Sequence, residues 1–191
     1  PSGLSAAYHL ARMGHQVTRE PGSWANGASV LRMTLAELPP KGLGPDCAAS
    51  TQIADGSGMS RENRVAPRTF TKWLDRLQRD PSVGSVFVNS LASPNQKESL
   101  KRRFKDRRLV NELRGKTGTI DGVRCFSGYL TEPLGGRRLA FSVMVNNLKE
   151  GEQALQALDF HEEVVVIADK WLAAHRGARP AAVVPQMGGD R

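Results

Sequence analysis

Lys116-Thr117-Gly118-Thr119, read together with the runs Val123–Thr131 and Arg137–Asn147 that follow it, decides the fold of this chain. Glu112–Thr117 has strand character and ends in the Lys-Thr-Gly triplet. Asp121-Gly122 is a turn, and Glu132-Pro133-Leu134-Gly135-Gly136 folds the next two runs into a hairpin. Three adjacent antiparallel strands follow from that punctuation. The long apolar-periodic stretch Glu152–His175 is then the helix that packs on them. The expected class is α+β, an antiparallel sheet flanked by helices.

Working back towards the N-terminus, Pro67 suits the first turn of a helix over Pro67–Gln78, with Phe70, Trp73, Leu74 and Leu77 as its buried face. Thr51–Ala54 reads as a short strand. It leads into Asp55-Gly56-Ser57-Gly58-Met59-Ser60-Arg61-Glu62-Asn63, a loop whose Asp55, Ser57, Arg61 and Asn63 side chains are placed to tie its backbone together. Pro39–Ala49 is rich in Pro and Gly and reads as a loop containing Cys47. Helices are expected over Ser5–Met13, stopped by Gly14, over Trp24–Leu38, and over Glu98–Phe104. Val83–Asn89 is apolar and ambiguous. Gly177–Arg191, rich in Pro and Gly, is expected to be disordered.

The 191 residues suit one domain with a real core, and no apolar run approaches the ~18 residues needed to span a bilayer. The net charge of +8 sits largely in Lys101-Arg102-Arg103-Phe104-Lys105-Asp106-Arg107-Arg108. No nucleic-acid motif accompanies that run, so it reads as a solvated, ion-paired face rather than a nucleic-acid site. A basic surface also suits peripheral contact with an anionic cell wall or membrane surface. The alternative of a nucleic-acid binder would show as steeply salt-dependent DNA binding. Cys47 and Cys125 have no Cys-x-x-Cys spacing, and a disulfide between them stays open. Cys125 reads as a small core residue. The four histidines lack metal-site spacing, and neither metal nor cofactor is expected.

Lys-Thr-Gly on a strand edge has a direct chemical reading. The Lys116 ammonium and the Thr117 hydroxyl can hold a carboxylate, and Gly118 lets a ligand backbone approach the strand. Asp55-Gly56-Ser57-Gly58-Met59-Ser60-Arg61-Glu62-Asn63 and Lys116-Thr117-Gly118-Thr119, preceded by Pro21-Gly22-Ser23-Trp24, occur in one order. So do Ser90-Leu91-Ala92 and Ser99-Leu100-Lys101-Arg102-Arg103-Phe104 ahead of the triplet. In that order they resemble the D-alanyl-D-alanine carboxypeptidase/endopeptidase family, the class C penicillin-binding proteins, from about Gly14 to about His175. The resemblance implies part of a penicillin-recognising serine transpeptidase/β-lactamase-like domain. It implies a periplasmic or extracytoplasmic setting, peptidoglycan stem peptides as substrates and β-lactams as ligands of the intact protein. The family attacks D-Ala-D-Ala with the serine of a Ser-x-x-Lys motif, assisted by Ser-x-Asn. Its Lys-Thr-Gly strand, here Lys116, Thr117, Gly118 and Thr119, binds the terminal carboxylate. The loop with Asp55, Ser57, Ser60, Arg61 and Asn63 would support the cleft.

The chain departs from that pattern, because no Ser is followed three positions later by Lys. Ser93-Pro94-Asn95 fits Ser-x-Asn literally but lies out of order. The reading is therefore the C-terminal part of a catalytic domain over residues 21–175, without its nucleophile and with no catalytic residue assigned. A non-catalytic peptide-binding module is the alternative. Separately, Pro1-Ser2-Gly3-Leu4 and the residues up to Thr18 are similar to the helix that opens the dinucleotide site of glutamate synthase small subunit-like oxidoreductases. That similarity implies a remnant of a flavin- or NAD(P)-linked fusion over residues 1–20, without the preceding strand and first glycines.

Overall fold

The computed structural model describes residues 24–38, 42–94, 100, 103–134, 136–149 and 151–176. The expected helix at Ser5–Met13, the nucleotide-binding resemblance and the expected disordered tail lie outside these residues. The elements run α1 (Trp24–Ala36), α2 (Pro45–Ala49), α3 (Pro67–Arg79), α4 (Gly84–Ser90), β1 (Glu112–Ile120), β2 (Val123–Thr131), β3 (Arg138–Val145) and α5 (Glu152–Ala174). The three strands form one antiparallel sheet in the order β1-β2-β3.

Period-2 alternation divides the sheet into two faces with different cover. Leu113 of β1, Phe126 and Leu130 of β2, and Phe141 and Val143 of β3 meet Val165 and Leu172 of α5 in the main core. Phe126 is the hub: its ring lies 5.1 Å from Phe141 and 6.0 Å from Phe104, centre to centre. On the opposite face Tyr129 packs with Leu74 of α3 and Val88 of α4, and its hydroxyl donates to the Leu74 carbonyl at 2.7 Å. Fully burying each such apolar side chain contributes about 1.5–3 kcal/mol.

Two glycines make this packing possible. A Cβ on Gly115 would stand 2.7 Å from the Phe126 ring, and one on Gly128, its cross-strand partner, 2.1 Å from the Arg114 carbonyl. Both positions are therefore fixed by close packing of β1 on β2.

α5 is tied to the sheet by polar contacts as well as by its apolar face. Asp169, almost fully buried, accepts the backbone N–H groups of Val110 at 2.8 Å and Asn111 at 2.9 Å, and the Asn111 amide at 2.8 Å. Glu162 accepts from Arg103 at 3.1 Å and pairs with Arg107 at 3.4 Å. Two residues of the basic run, Arg103 and Arg107, are thus paired with α5.

Several expectations are corrected. The Lys-Thr-Gly triplet does not end its strand: β1 continues to Ile120, because Asp121-Gly122 closes a two-residue turn with Gly122 at φ +68°. Cys47 lies in the short helix α2, started by Pro45, rather than in a loop. Among the described residues Thr51–Ala54 makes one bridge, Gln52 to Arg64, rather than a strand. In α3 Leu74 is buried but Phe70 is exposed, and Thr69 takes an inward place. Val83–Asn89 resolves into α4, begun by a turn in which Asp80 accepts from Ser82 and Val83. Cys125 is half-buried on the sheet face away from α5, and both cysteines are free thiols. Of the helix expected over Glu98–Phe104, Leu100, Arg103 and Phe104 are described. They form no helix, and Phe104 turns back at φ +61°. The C-terminal helix itself is as expected, running unbroken through its β-branched Val164–Ile167, where Val165 is held in the core.

Replacing Asp169 by Ala strands the Val110 and Asn111 N–H groups without an acceptor. Urea unfolding of Asp169→Ala should show a loss of about 3 kcal/mol. His161 gives a pH signature. It is wholly buried and stacked 6.4 Å from Phe126, and burial, with the Arg103 charge second, lowers its pKa to about 4 from 6.5. The folded state favours the neutral ring, so this contribution is complete above the unfolded value. It is lost as pH falls from about 6.5 to about 4, by at most about 3 kcal/mol. Urea titrations across that window should show the decline, and His161→Phe should flatten it.

Candidate functional site

The site is built on the free edge of β1. Gly115 exchanges both backbone hydrogen bonds with Ala92, its N–H to the Ala92 carbonyl at 2.9 Å and its carbonyl from the Ala92 N–H at 3.1 Å. In an antiparallel strand alternate residues turn their backbone groups to the same side. Thr117 and Thr119 therefore present N–H and C=O outward, away from β2, beyond the point where the Ala92 bridge ends. Among the described residues no strand pairs with this stretch, and such an edge is able to take an extended ligand.

Lys116 lies exposed within that edge, and its Nζ donates to the Thr117 carbonyl at 2.6 Å. The ammonium is thus held over the edge by the backbone it would share with a ligand. Thr117 is half-buried and Thr119 exposed, and their side chains lie on the face opposite that of Lys116. Lys116 reaches Thr117 through its backbone carbonyl rather than its side chain. Gly118 pairs with Cys125 and is exposed. A Cβ there would lie 3.5 Å from the Cys125 Cβ, an ordinary contact. The packing that requires Gly115 and Gly128 therefore places no such demand on Gly118. The Lys116 row continues across the sheet through Ser127 and Ser142, whose hydroxyls are 2.8 Å apart. This pair went unnoticed in the sequence, where strand register is not visible.

The Asp55–Asn63 loop folds round one carboxylate. Asp55 accepts from the Gly58 N–H, the Ser60 N–H and the Ser57 hydroxyl, each at 2.9 Å, and from the Asn63 amide at 2.8 Å. These bonds, led by that from Asn63, hold the Asp55 pKa below its ordinary value. Asn63 returns the favour by accepting the Ala54 N–H at 2.8 Å. Ser60 accepts from the Glu62 N–H at 3.1 Å. Arg61 does something else. It leaves the loop and donates to the Asp121 carbonyl at 2.8 Å, with the Asp121 carboxylate at 3.4 Å, both exposed. Asp121 opens the β1–β2 turn just after Thr119. Arg61 therefore docks the loop at the end of the strand that carries Lys116. Among the described residues no group of His, Cys, Asp and Glu is placed to hold a metal ion.

Residues 4–170 match the D-Ala-D-Ala carboxypeptidase 3 (S13) family. The chain belongs to that family. It is 32% identical over 148 residues to a D-alanyl-D-alanine carboxypeptidase of Actinomadura sp. (strain R39), covering 75% of this chain and 26% of that protein. It is 29% identical over 101 residues to D-alanyl-D-alanine carboxypeptidase DacB of Haemophilus influenzae, covering 52% of this chain and 21% of that protein. The chain thus spans about a quarter of the length of these relatives. The fold matches penicillin binding protein 4 (dacB) of Haemophilus influenzae, solved in complex with a β-lactam, at a TM-score of 0.61 and 19% identity. That match covers 87% of this chain and 37% of the solved one. A second structure of the same protein gives a TM-score of 0.55. This S13 chain has the α+β architecture of the family's domain, with its Lys-Thr-Gly strand at a sheet edge.

The Arg61 contact carries a prediction. Arg61→Ala should leave unfolding stability within about 0.5 kcal/mol, because the pair is solvent-exposed. It should nevertheless release the loop, read as faster amide exchange at Gly58 and Ser60.

Proposed function

We propose that this chain supplies the carboxylate-gripping edge of a serine-type D-Ala-D-Ala carboxypeptidase/endopeptidase. Its substrate is the stem peptide of peptidoglycan, its setting is extracytoplasmic, and β-lactams are its competing ligands. The observation that carries this reading is the open edge of β1. Lys116 is held across it, Thr117 and Thr119 turn their backbone groups outward, and Gly118 leaves the floor clear.

Each part has a chemical task. Lys116 exchanges its neutral carbonyl acceptor for the ionised carboxylate of D-Ala, which forms the stronger charge-assisted bond. The Thr117 and Thr119 backbone groups pair with the peptide as an added strand, and an outward N–H is the kind of donor that stabilises an oxyanion. Asp55, Ser57, Ser60 and Asn63 keep the loop rigid, and Arg61 holds it against the strand end. The attacking serine and its lysine base belong to a Ser-x-x-Lys motif that these 191 residues do not contain. That absence favours a second reading in which the chain itself binds the peptide without cleaving it.

The test is equilibrium binding of an N-acyl-D-Ala-D-Ala peptide, with the C-terminal amide of the same peptide as control. The acid should bind saturably and the amide should not. Lys116→Ala should weaken the acid by at least tenfold, about 1.4 kcal/mol. Equal binding of acid and amide, or no effect of Lys116→Ala, would overturn the reading.

A further inference from the structure

A second pair of reactive side chains lies away from the β1 edge. Cys47 sits in α2 with 9% of its surface exposed, and Lys72 sits on the exposed side of α3. Lys72 Nζ donates to Cys47 Sγ at 3.7 Å. The Cys47 backbone is fixed from the other side, since its carbonyl accepts the Thr51 hydroxyl at 2.7 Å and the Ser50 hydroxyl at 3.1 Å. Neither cysteine is in a disulfide. Among the described residues no amine donates to Cys125, whose thiol burial pushes up. The two thiols therefore have different neighbours: one faces an amine, the other does not.

We propose that Cys47 and Lys72 form an oxidation-sensitive couple that closes into a covalent sulfur–nitrogen cross-link. A peroxide-class oxidant transfers one oxygen to the Cys47 sulfur. The O–O bond breaks, the thiol becomes a sulfenic acid and one water leaves. The sulfur loses two electrons and the peroxide gains them. Lys72, after giving one proton to solvent, attacks that sulfur through its free amine. The S–O bond breaks, and the hydroxyl departs as a second water carrying one N–H proton. The product is Cys47–S–NH–Lys72, a sulfenamide of the kind that sulfenic acids form with nitrogen. A thiol reductant reverses it by attack on sulfur.

The position of the couple gives the cross-link a consequence. Residues 47–72 enclose the whole Asp55–Asn63 loop, whose Arg61 reaches the β1–β2 turn. Joining α2 to α3 closes a ring around that loop and restricts its excursions from the strand end.

The experiment treats the full folded chain with dilute hydrogen peroxide and reads intact mass and a tryptic map. The expected species is lighter by about 2 Da, with a peptide joining Cys47 to Lys72 and no cleavage at Lys72. Dithiothreitol should restore the original mass. Lys72→Arg keeps the exposed cation but removes the attacking amine. It should abolish the joined peptide and leave Cys47 as sulfinic acid, heavier by about 32 Da. Cys47→Ser should give no joined peptide, and the same treatment in urea should give none either. Oxidation of native Cys47 to sulfinic acid with no joined peptide would overturn the proposal. So would reaction at Cys125 with Cys47 untouched, or equal cross-linking in urea.

Discussion

The buried Asp169 carboxylate is the constraint on which the rest of the structure rests. It accepts the backbone N–H groups of Val110 and Asn111, so it decides where the chain stops wandering and β1 begins. A carboxylate taken out of water is tolerated only when its lone pairs are met, and here three N–H donors from one segment meet them. With the start of β1 pinned to α5, Leu113 falls into the core and Gly115 falls opposite Gly128. Lys116 is then forced outward by alternation. A one-residue slip would turn Lys116 into the α5 face and expose Leu113.

Close approach of β1 to β2 follows from the same register. Phe126 takes the space that a side chain on Gly115 would fill, and it links the core to Phe104, Phe141 and His161. The open edge of β1 is thus backed by the closely packed Gly115–Gly128 contact and the Phe126 cluster. An edge that must present backbone groups at fixed positions needs such support, since a sheet edge has no partner of its own to hold it. The loop with Asp55 solves the same problem locally, folding its backbone around a single carboxylate and reaching the strand end through Arg61.

Family membership and the chain's own chemistry bear on different questions. The match over residues 4–170 places the chain in the S13 family and accounts for the shared arrangement of sheet and C-terminal helix. Lys116 and the open edge supply the chemistry proposed to hold a carboxylate. The Cys47–Lys72 contact lies apart from both.

The three strands, their two turns and the C-terminal helix were legible in the sequence, because alternation and turn residues are local signals. The Asp55 loop was legible too, since small polar side chains bond within a few residues of themselves. Tertiary structure alone decided the rest. Arg61 was read as a tie within its loop, yet its partner is sixty residues away, a pairing no local pattern encodes. Lys116-Thr117-Gly118 was read as the end of a strand, but pairing with β2 carries β1 through to Ile120. Phe70 was read as buried from helical spacing, but the side of α3 that meets the sheet is set by Leu74 and Tyr129. Which glycines close packing requires, Gly115 and Gly128 but not Gly118, depends on atoms from a neighbouring strand. Sequence determines the elements through short-range sterics and hydrogen bonds. Register, burial and cross-strand contact arise only when distant segments compete for the same space.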